Sequence, residues 1–191
     1  MSHRFSELTF TPAVLKMQQH FGSAERASGV RNRMPSFNRF SQRETEFIQM
    51  RDSFYMASVS EDGWPYIQHR GGEKGFLRVV NDSSLVFANY SGNGQYQSLG
   101  NLSANNRVAL FLMDYPKQRR LKVLGKAEFL NTDNLPKELD RLKSDFLAEQ
   151  RVESIVQIHL EAFDWNCPQY ITPRYSEAEL TVLQEIHNEA L

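Results

Sequence analysis

The chain has 191 residues, 40% hydrophobic and 24% charged, with 22 basic against 23 acidic side chains and a net charge of −1. One globular domain with terminal additions fits that length, and the balanced charge argues against a protein built to hold nucleic acid or an anionic membrane. No apolar run approaches the roughly 18 residues of a membrane span, the start MSHRFSELTF has no signal-peptide core, and the lone cysteine, Cys167, excludes an internal disulfide and fits a reducing cytoplasm.

Residues 1–40 read as an N-terminal helix and an arm packing on the domain after them. TPAVLKMQQHF predicts a helix capped by Thr11 with Pro12 at its first position. GSAERASGVRNRMPSFNRF is polar and reads as a mobile connection or an arm, with five arginines between Arg26 and Arg43. Order is expected from SQRETEFIQMRDS, where Ser41 and Glu44 form a capping box. Strand signals then come at short intervals: FYMASVS, YIQHR, GFLRVV, LVFANY, RVALFLMDY, RRLKVLGKAEFL and SIVQIHLEAFDW. Asp62-Gly63 and NDSS mark hairpin turns between neighbouring runs. SGNGQYQSLGNLSANN reads as a helix, as does NLPKELDRLKSDFLAEQ with Leu135, Leu139, Leu142 and Phe146 on one face. SEAELTVLQEIHNEAL predicts a terminal helix capped by Ser176. Strands at this spacing with few helices predict a mostly β domain over 41–175, a closed or nearly closed antiparallel barrel, followed by a helix over 176–191.

Familiar catalytic signatures are missing. There is no G-x-S-x-G elbow, no Walker A loop and no G-x-G-x-x-G fingerprint. The five histidines show no H-x-x-x-H spacing, so no metal site is expected. Cys167 has no second cysteine and reads as a packing residue. Two segments carry alternatives. After LVFANY, residues Ser91, Gly92, Asn93 and Gly94 read either as a capped helix start or as a phosphate cradle at a helix N-terminus. In YIQHRGG, Gly71 and Gly72 mark either a β-bulge or a close approach of a flat ligand, with His69 and Arg70 as donors. Arg120 and Lys122 share one side of a later strand, Arg119 and Leu121 the other.

The series FYMASVSEDGWPYIQHRGG, GFLRVV, SLVFANYSGNGQYQSLGNLSANNRVALFLMDY and RRLKVLGKAEF resembles the FMN-binding split-barrel family related to pyridoxamine 5'-phosphate oxidase, in the subgroup with HRGG…GF and YSGN…SLGN segments. The resemblance covers about 41 to 170. It implies a six-stranded antiparallel split β-barrel with flanking helices, a homodimer, and FMN at the subunit interface. The implied cofactor-binding residues are Gln68, His69, Arg70, Gly71 and Gly72 on one strand and Ala88, Asn89 and Tyr90 on another. Ser91, Asn93, Gln95, Tyr96, Ser98 and Asn101 match the phosphate-side loop and helix. Arg120 matches a side chain reaching the flavin from the partner, with Lys122 beside it. The resemblance implies an oxidoreductase acting on a small molecule, its electrons coming from a nicotinamide or another donor; no catalytic residue is named. The alternative is a non-catalytic flavin- or haem-binding or sensing module, with His69 or His159 as axial ligand. The family's Arg-Lys pair at the helix start is replaced here by NGQYQS, without a cation at Gly94. The Arg-x-His element that recognises pyridoxal phosphate has no match in EIHNEAL.

Overall fold

Alternation along the sequence decides what each strand buries. In β1 (Ser53–Val59) Phe54, Met56 and Ser58 point inward and Tyr55 outward, and β5 (Arg107–Asp114) buries Val108, Leu110, Leu112 and Asp114 in the same two-residue rhythm. β2 (Pro65–Gly71) alternates between exposed and half-buried positions, whereas β4 (Ser84–Tyr90) is buried on both faces up to Asn89. β3 is the short Arg78–Asn81; β6 is Arg119–Leu130 and β7 Val152–Trp165. The structure is a computed structural model and describes residues 4–33, 37–139 and 152–189.

All pairings are antiparallel, in the order β2-β1-β5-β6-β7-β4-β3. The six-stranded barrel expected above is thereby corrected. The sheet has seven strands and does not close, because β2 and β3 end it and share no ladder. The seven strands match the seven extended runs read from the sequence; β3 comes from GFLRVV and pairs with β4 where Asp82-Ser83 turns the chain back in NDSS, with Asn81 opposite Ser84 and the Asn81 side chain accepting from the Ser83 N–H at 2.9 Å. The β1–β2 turn also forms where Asp62-Gly63 predicted it, with Gly63 at φ +87°. A single apolar cluster fills the inner face, with Phe54, Phe87, Leu110, Leu121, Val123, Ile158 and Phe163 all at most 1% exposed. A second, smaller cluster of Val86, Ala88, Leu139 and Ile155 lies behind β4. Leu139 is buried in this cluster with Leu135 packed against it; the rest of the helix predicted around them, with Leu142 and Phe146, lies outside the described residues.

The N-terminal helices are more numerous than expected. α1 (Arg4–Thr9) lies on β7, where Arg4 reaches Glu161 at 3.3 Å. α2 (Pro12–His20) forms as predicted, Thr11 accepting from the Val14 N–H at 3.4 Å. The polar stretch read as a mobile connection or an arm contains a third helix, α3 (Ala24–Arg33). Glu25 in its first turn suits the helix dipole, and no proline interrupts the run before Pro35. After it, Phe37 and Phe40 stack on Phe163, with ring centroids 5.0 and 5.6 Å away. Arg39 grips Asp82 with both carboxylate oxygens at 2.8 Å. No described helix is long and apolar enough to cross a membrane.

α4 (Gln42–Gln49) begins at the predicted capping box. The Glu44 carboxylate accepts from the Ser41 N–H at 3.1 Å and its hydroxyl at 2.5 Å, and from the Trp165 indole at 2.6 Å. Desolvation pushes the pKa of this buried carboxyl up, but the hydrogen bonds from Ser41 and Trp165 outweigh it, and the net shift is downward from 4.5. A depressed folded-state pKa contributes stability that is complete above the unfolded value and lost as pH falls through the folded one. Urea midpoints should therefore drop as pH is lowered below about 4.5. Glu44→Gln should lose about 1–2 kcal/mol at pH 7 and flatten that acid limb; an unchanged acid limb would refute the assignment.

Candidate functional site

A polar cleft opens where the sheet fails to close. β3 pairs with β4 only from Ser84 to Val86, and past that point a gap separates β4 from β2. Side chains bridge the gap: Arg70 of β2 donates to the Asn89 amide oxygen of β4 at 3.3 Å. The Ser98 hydroxyl donates to Gln68 Oε1 at 2.8 Å, fastening the start of α5 (Gln97–Ala104) to β2. Asn89 is itself held by donating to Ser154 Oγ at 3.3 Å. The cleft measures about 90 Å³.

The predicted helix start is displaced. Residues 91–96 form a loop, and α5 begins at Gln97 behind Tyr96, which adopts the left-handed conformation at φ +49°. Neither Ser91 nor Asn93 caps the helix; Asn93 instead accepts from the Gln95 N–H at 3.1 Å. The opening turn of α5 still borders the cleft through Gln97, Ser98 and Leu99, offering backbone N–H groups and the positive end of the dipole.

Arg70 dominates the electrostatics. Its guanidinium lies 5.8 Å from the Phe87 ring, and its Nε is buried without a hydrogen-bond partner. Burial pushes its pKa down, with a small opposing contribution from Tyr66. Among the described residues no carboxylate pairs with it. A half-buried cation held, among the described residues, by a neutral amide and a ring carries a desolvation cost that an anion entering the cleft would relieve. Two arginines of the 26–43 stretch are engaged elsewhere: Arg39 holds Asp82, and Arg43 lies over the Trp165 ring at 4.5 Å.

Eight of the sequence candidates come together here: Gln68, Arg70, Asn89, Tyr90, Asn93, Gln95, Tyr96 and Ser98 line the cleft. The others lie elsewhere. His69 points to the opposite face from Arg70 and meets Tyr55 edge-on, 5.6 Å between centroids. A side chain at Gly71 would come within 3.0 Å of His69, and one at Gly72 within 2.9 Å of Phe76, so these glycines make room for the chain's own rings. Ala88 faces the rear cluster, and Ser91 is exposed beside the cleft. Asn101 donates to Ser58 at 2.9 Å. Lys122 pairs with Asp164 at 3.0 Å and lies over Phe5 of α1. Arg120 sits opposite Met113 on the sheet's outer face, its Nε also buried without a partner. Of the two histidines considered for haem, His159 is bonded to Glu128 at 2.8 Å. Cys167 is exposed and accepts from the Gln169 N–H at 3.4 Å.

Sequence reasoning missed Tyr66 and Glu153. Tyr66 follows from strict alternation with Gln68 and Arg70 along β2. Glu153 has no local signal. It lies at an irregularity where Asn89 pairs with Ser154 but Tyr90 with Val152, and it accepts from the Tyr96 hydroxyl at 3.2 Å. A wider depression of about 1360 Å³ lies on the other side of α5, between the β1–β2 turn and β6. Its charged residues Glu61, Arg107 and Glu128 are all exposed, whereas the narrow cleft holds the buried Nε of Arg70, so the narrow cleft is the better candidate.

An open antiparallel sheet whose two ends approach across a polar cleft is a split barrel. The sequence profile of the pyridoxamine 5'-phosphate oxidase family matches residues 40–165, and the chain belongs to that family. No curated protein matches it. Among solved structures, HupZ of Group A Streptococcus is 17% identical over 71% of this chain and 99% of its own, with a TM-score of 0.54. A candidate pyridoxamine 5'-phosphate oxidase of Lactobacillus delbrueckii is 21% identical over 66% of this chain and 94% of its own, with a TM-score of 0.51. At these identities the likeness is one of fold.

Proposed function

We propose that this protein binds FMN in the β2–β4 cleft as a homodimer and acts as an oxidoreductase on a small molecule. The observation that carries the reading is Arg70, a half-buried cation with an unpartnered Nε and no carboxylate partner among the described residues, placed at the opening of the sheet. Family membership makes FMN the natural anion. Arg70 and the first N–H groups of α5 would hold the phosphate, replacing the cation absent at Gly94. Gln68, Asn89 and Tyr90 offer amide and phenol groups to the remainder. When bound, the flavin supplies the electron chemistry; the chain supplies position, hydrogen bonds and charge.

A cleft of about 90 Å³ takes a phosphate or a ring edge, not a whole FMN, so the rest would lie outside it. A second copy would cover that part. Arg120, the other arginine with an orphaned Nε, faces outward and would meet flavin only from that copy. There its charge would stabilise reduced, anionic flavin.

The test is an absorbance spectrum of the purified protein, with FMN titration of whatever fraction is colourless. A yellow protein, or saturable uptake at one FMN per chain, is expected, and bleaching by NADH or NADPH would mark an enzyme. A colourless protein that ignores added FMN would sink the reading.

A further inference from the structure

The candidate cleft carries a carboxylate, Glu153, which is the wrong charge for a site that takes an anion. What Glu153 holds explains its presence. Asn89 pairs with Ser154 and Tyr90 with Val152, so Glu153 is the residue left over in the β4–β7 ladder, and such an irregularity re-aims a side chain. The two consecutive residues at this spot then fasten two different parts of the cleft. Ser154 accepts from the Asn89 amide at 3.3 Å, and Asn89 accepts from Arg70 at 3.3 Å. Glu153 accepts from the hydroxyl of Tyr96, the last residue before α5, at 3.2 Å. One adjacent pair on β7 therefore relates the cation to the start of the helix.

The start of α5 needs such a fastening. α2 and α4 begin at side-chain caps. So does the C-terminal helix α6 (Glu177–Glu189), where Ser176 Oγ accepts from the Glu179 N–H at 3.3 Å and Glu179 accepts from the Ser176 N–H at 2.9 Å. Tyr96 gives α5 no cap of this kind. It lies in the left-handed region at φ +49°, a conformation that a tyrosine keeps only where contacts impose it. Its carbonyl accepts from the Gly100 N–H at 2.8 Å, so the free N–H groups of Gln97, Ser98 and Leu99 follow wherever Tyr96 is held. Ser98 ties the helix to β2 through Gln68, and Tyr96 ties it to β7. Two ties fix an orientation that one would leave free.

We infer that Tyr96 and Glu153 are positioning residues, whose hydrogen bond sets the first turn of α5 relative to Arg70 so that helix N–H groups and guanidinium meet one phosphate together. This rests on the reading of the cleft as the phosphate site and adds what presets it. The repulsion between Glu153 and the anion is outweighed by the ordering that the bond supplies before the ligand arrives.

Three variants of the full chain test this: Tyr96→Phe removes the hydroxyl, Glu153→Ala removes charge and acceptor together, and Glu153→Gln removes the charge but keeps an acceptor. Both positions are exposed, and circular dichroism checks folding. In ligand-free protein, hydrogen exchange at the Gly100 amide should speed up about fivefold in Tyr96→Phe and Glu153→Ala, as the loss of one hydrogen bond implies, and stay near the parent rate in Glu153→Gln. In calorimetric titrations with FMN and with inorganic phosphate, the same two variants should bind about 3- to 10-fold more weakly, and Glu153→Gln as tightly as the parent or tighter. A carboxylate acting through its charge alone gives a different pattern, with Glu153→Ala tighter than the parent and Tyr96→Phe unchanged. Either of those results overturns the inference, as does unaltered Gly100 exchange. A parent chain that takes up neither FMN nor phosphate, with Gly100 exchange responding as stated, would remove the cofactor reading and leave the positioning pair standing.

Discussion

Gly125→Val is expected to lower the melting temperature by about 6–12 °C, the equivalent of about 3 kcal/mol for a domain of this size. Gly125 lies where the β6–β7 register shifts, with Leu124 opposite Ala162 but Gly125 opposite Leu160. A Cβ there would stand 2.6 Å from Ile158 Cγ2 and 2.7 Å from the His159 carbonyl oxygen. Ile158 is fully buried, and the carbonyl is backbone, so no rotamer change clears the space. A branched side chain must push the two central strands apart. Gly100→Ala provides the contrast. Its Cβ would meet nothing within 4 Å in the middle of α5, so a gain of up to roughly 1 kcal/mol is expected. Thermal denaturation of both variants decides the matter; a Gly125→Val protein melting within a degree of the parent would show that β6 and β7 pack less tightly there.

Arg70→Met should produce effects of opposite sign. Without ligand, the variant loses a half-buried charge and one hydrogen bond to a neutral amide but keeps an apolar stem over Phe87, so its stability should hold or rise. FMN affinity should fall roughly 10- to 100-fold, the value of a charge-assisted hydrogen bond of about 1.5–3 kcal/mol. Fluorescence quenching of free FMN reports the affinity and thermal melting the stability. A variant that melts lower but binds FMN as well as the parent would make Arg70 a structural residue and strip the cleft of its assigned role.

How much of this is legible in the sequence depends on the range of the interactions involved. Ser41 with Glu44 and Ser176 with Glu179 are contacts three residues apart, and Asp62-Gly63 and Asp82-Ser83 are turns set by their own backbone preferences; all are legible locally. The seven extended runs are likewise visible. The cleft is half legible. Its β2 wall comes from alternation, which selects Tyr66, Gln68 and Arg70 and sends His69 to the other face. Reading QHRGG as one donor run hides that division. The rest depends on distant pairings. Lys122 is engaged because β6 sets it beside Asp164, and Glu153 reaches the cleft because the β4–β7 ladder is irregular at Tyr90. The meaning of Gly72 requires knowing where the Phe76 ring lies. α3 escapes notice because a polar helix with few apolar residues carries almost no periodic signal.

The aromatic plug at the foot of the sheet has a consequence for how this chain can change. Phe40 stacks on Phe163, and Glu44 is bonded to Trp165, so the segment shared with the family starts and finishes at the same spot. A module whose two ends touch is topologically a loop, complete before the terminal helices are added. The helices outside it can be lengthened, traded or lost without unthreading a strand.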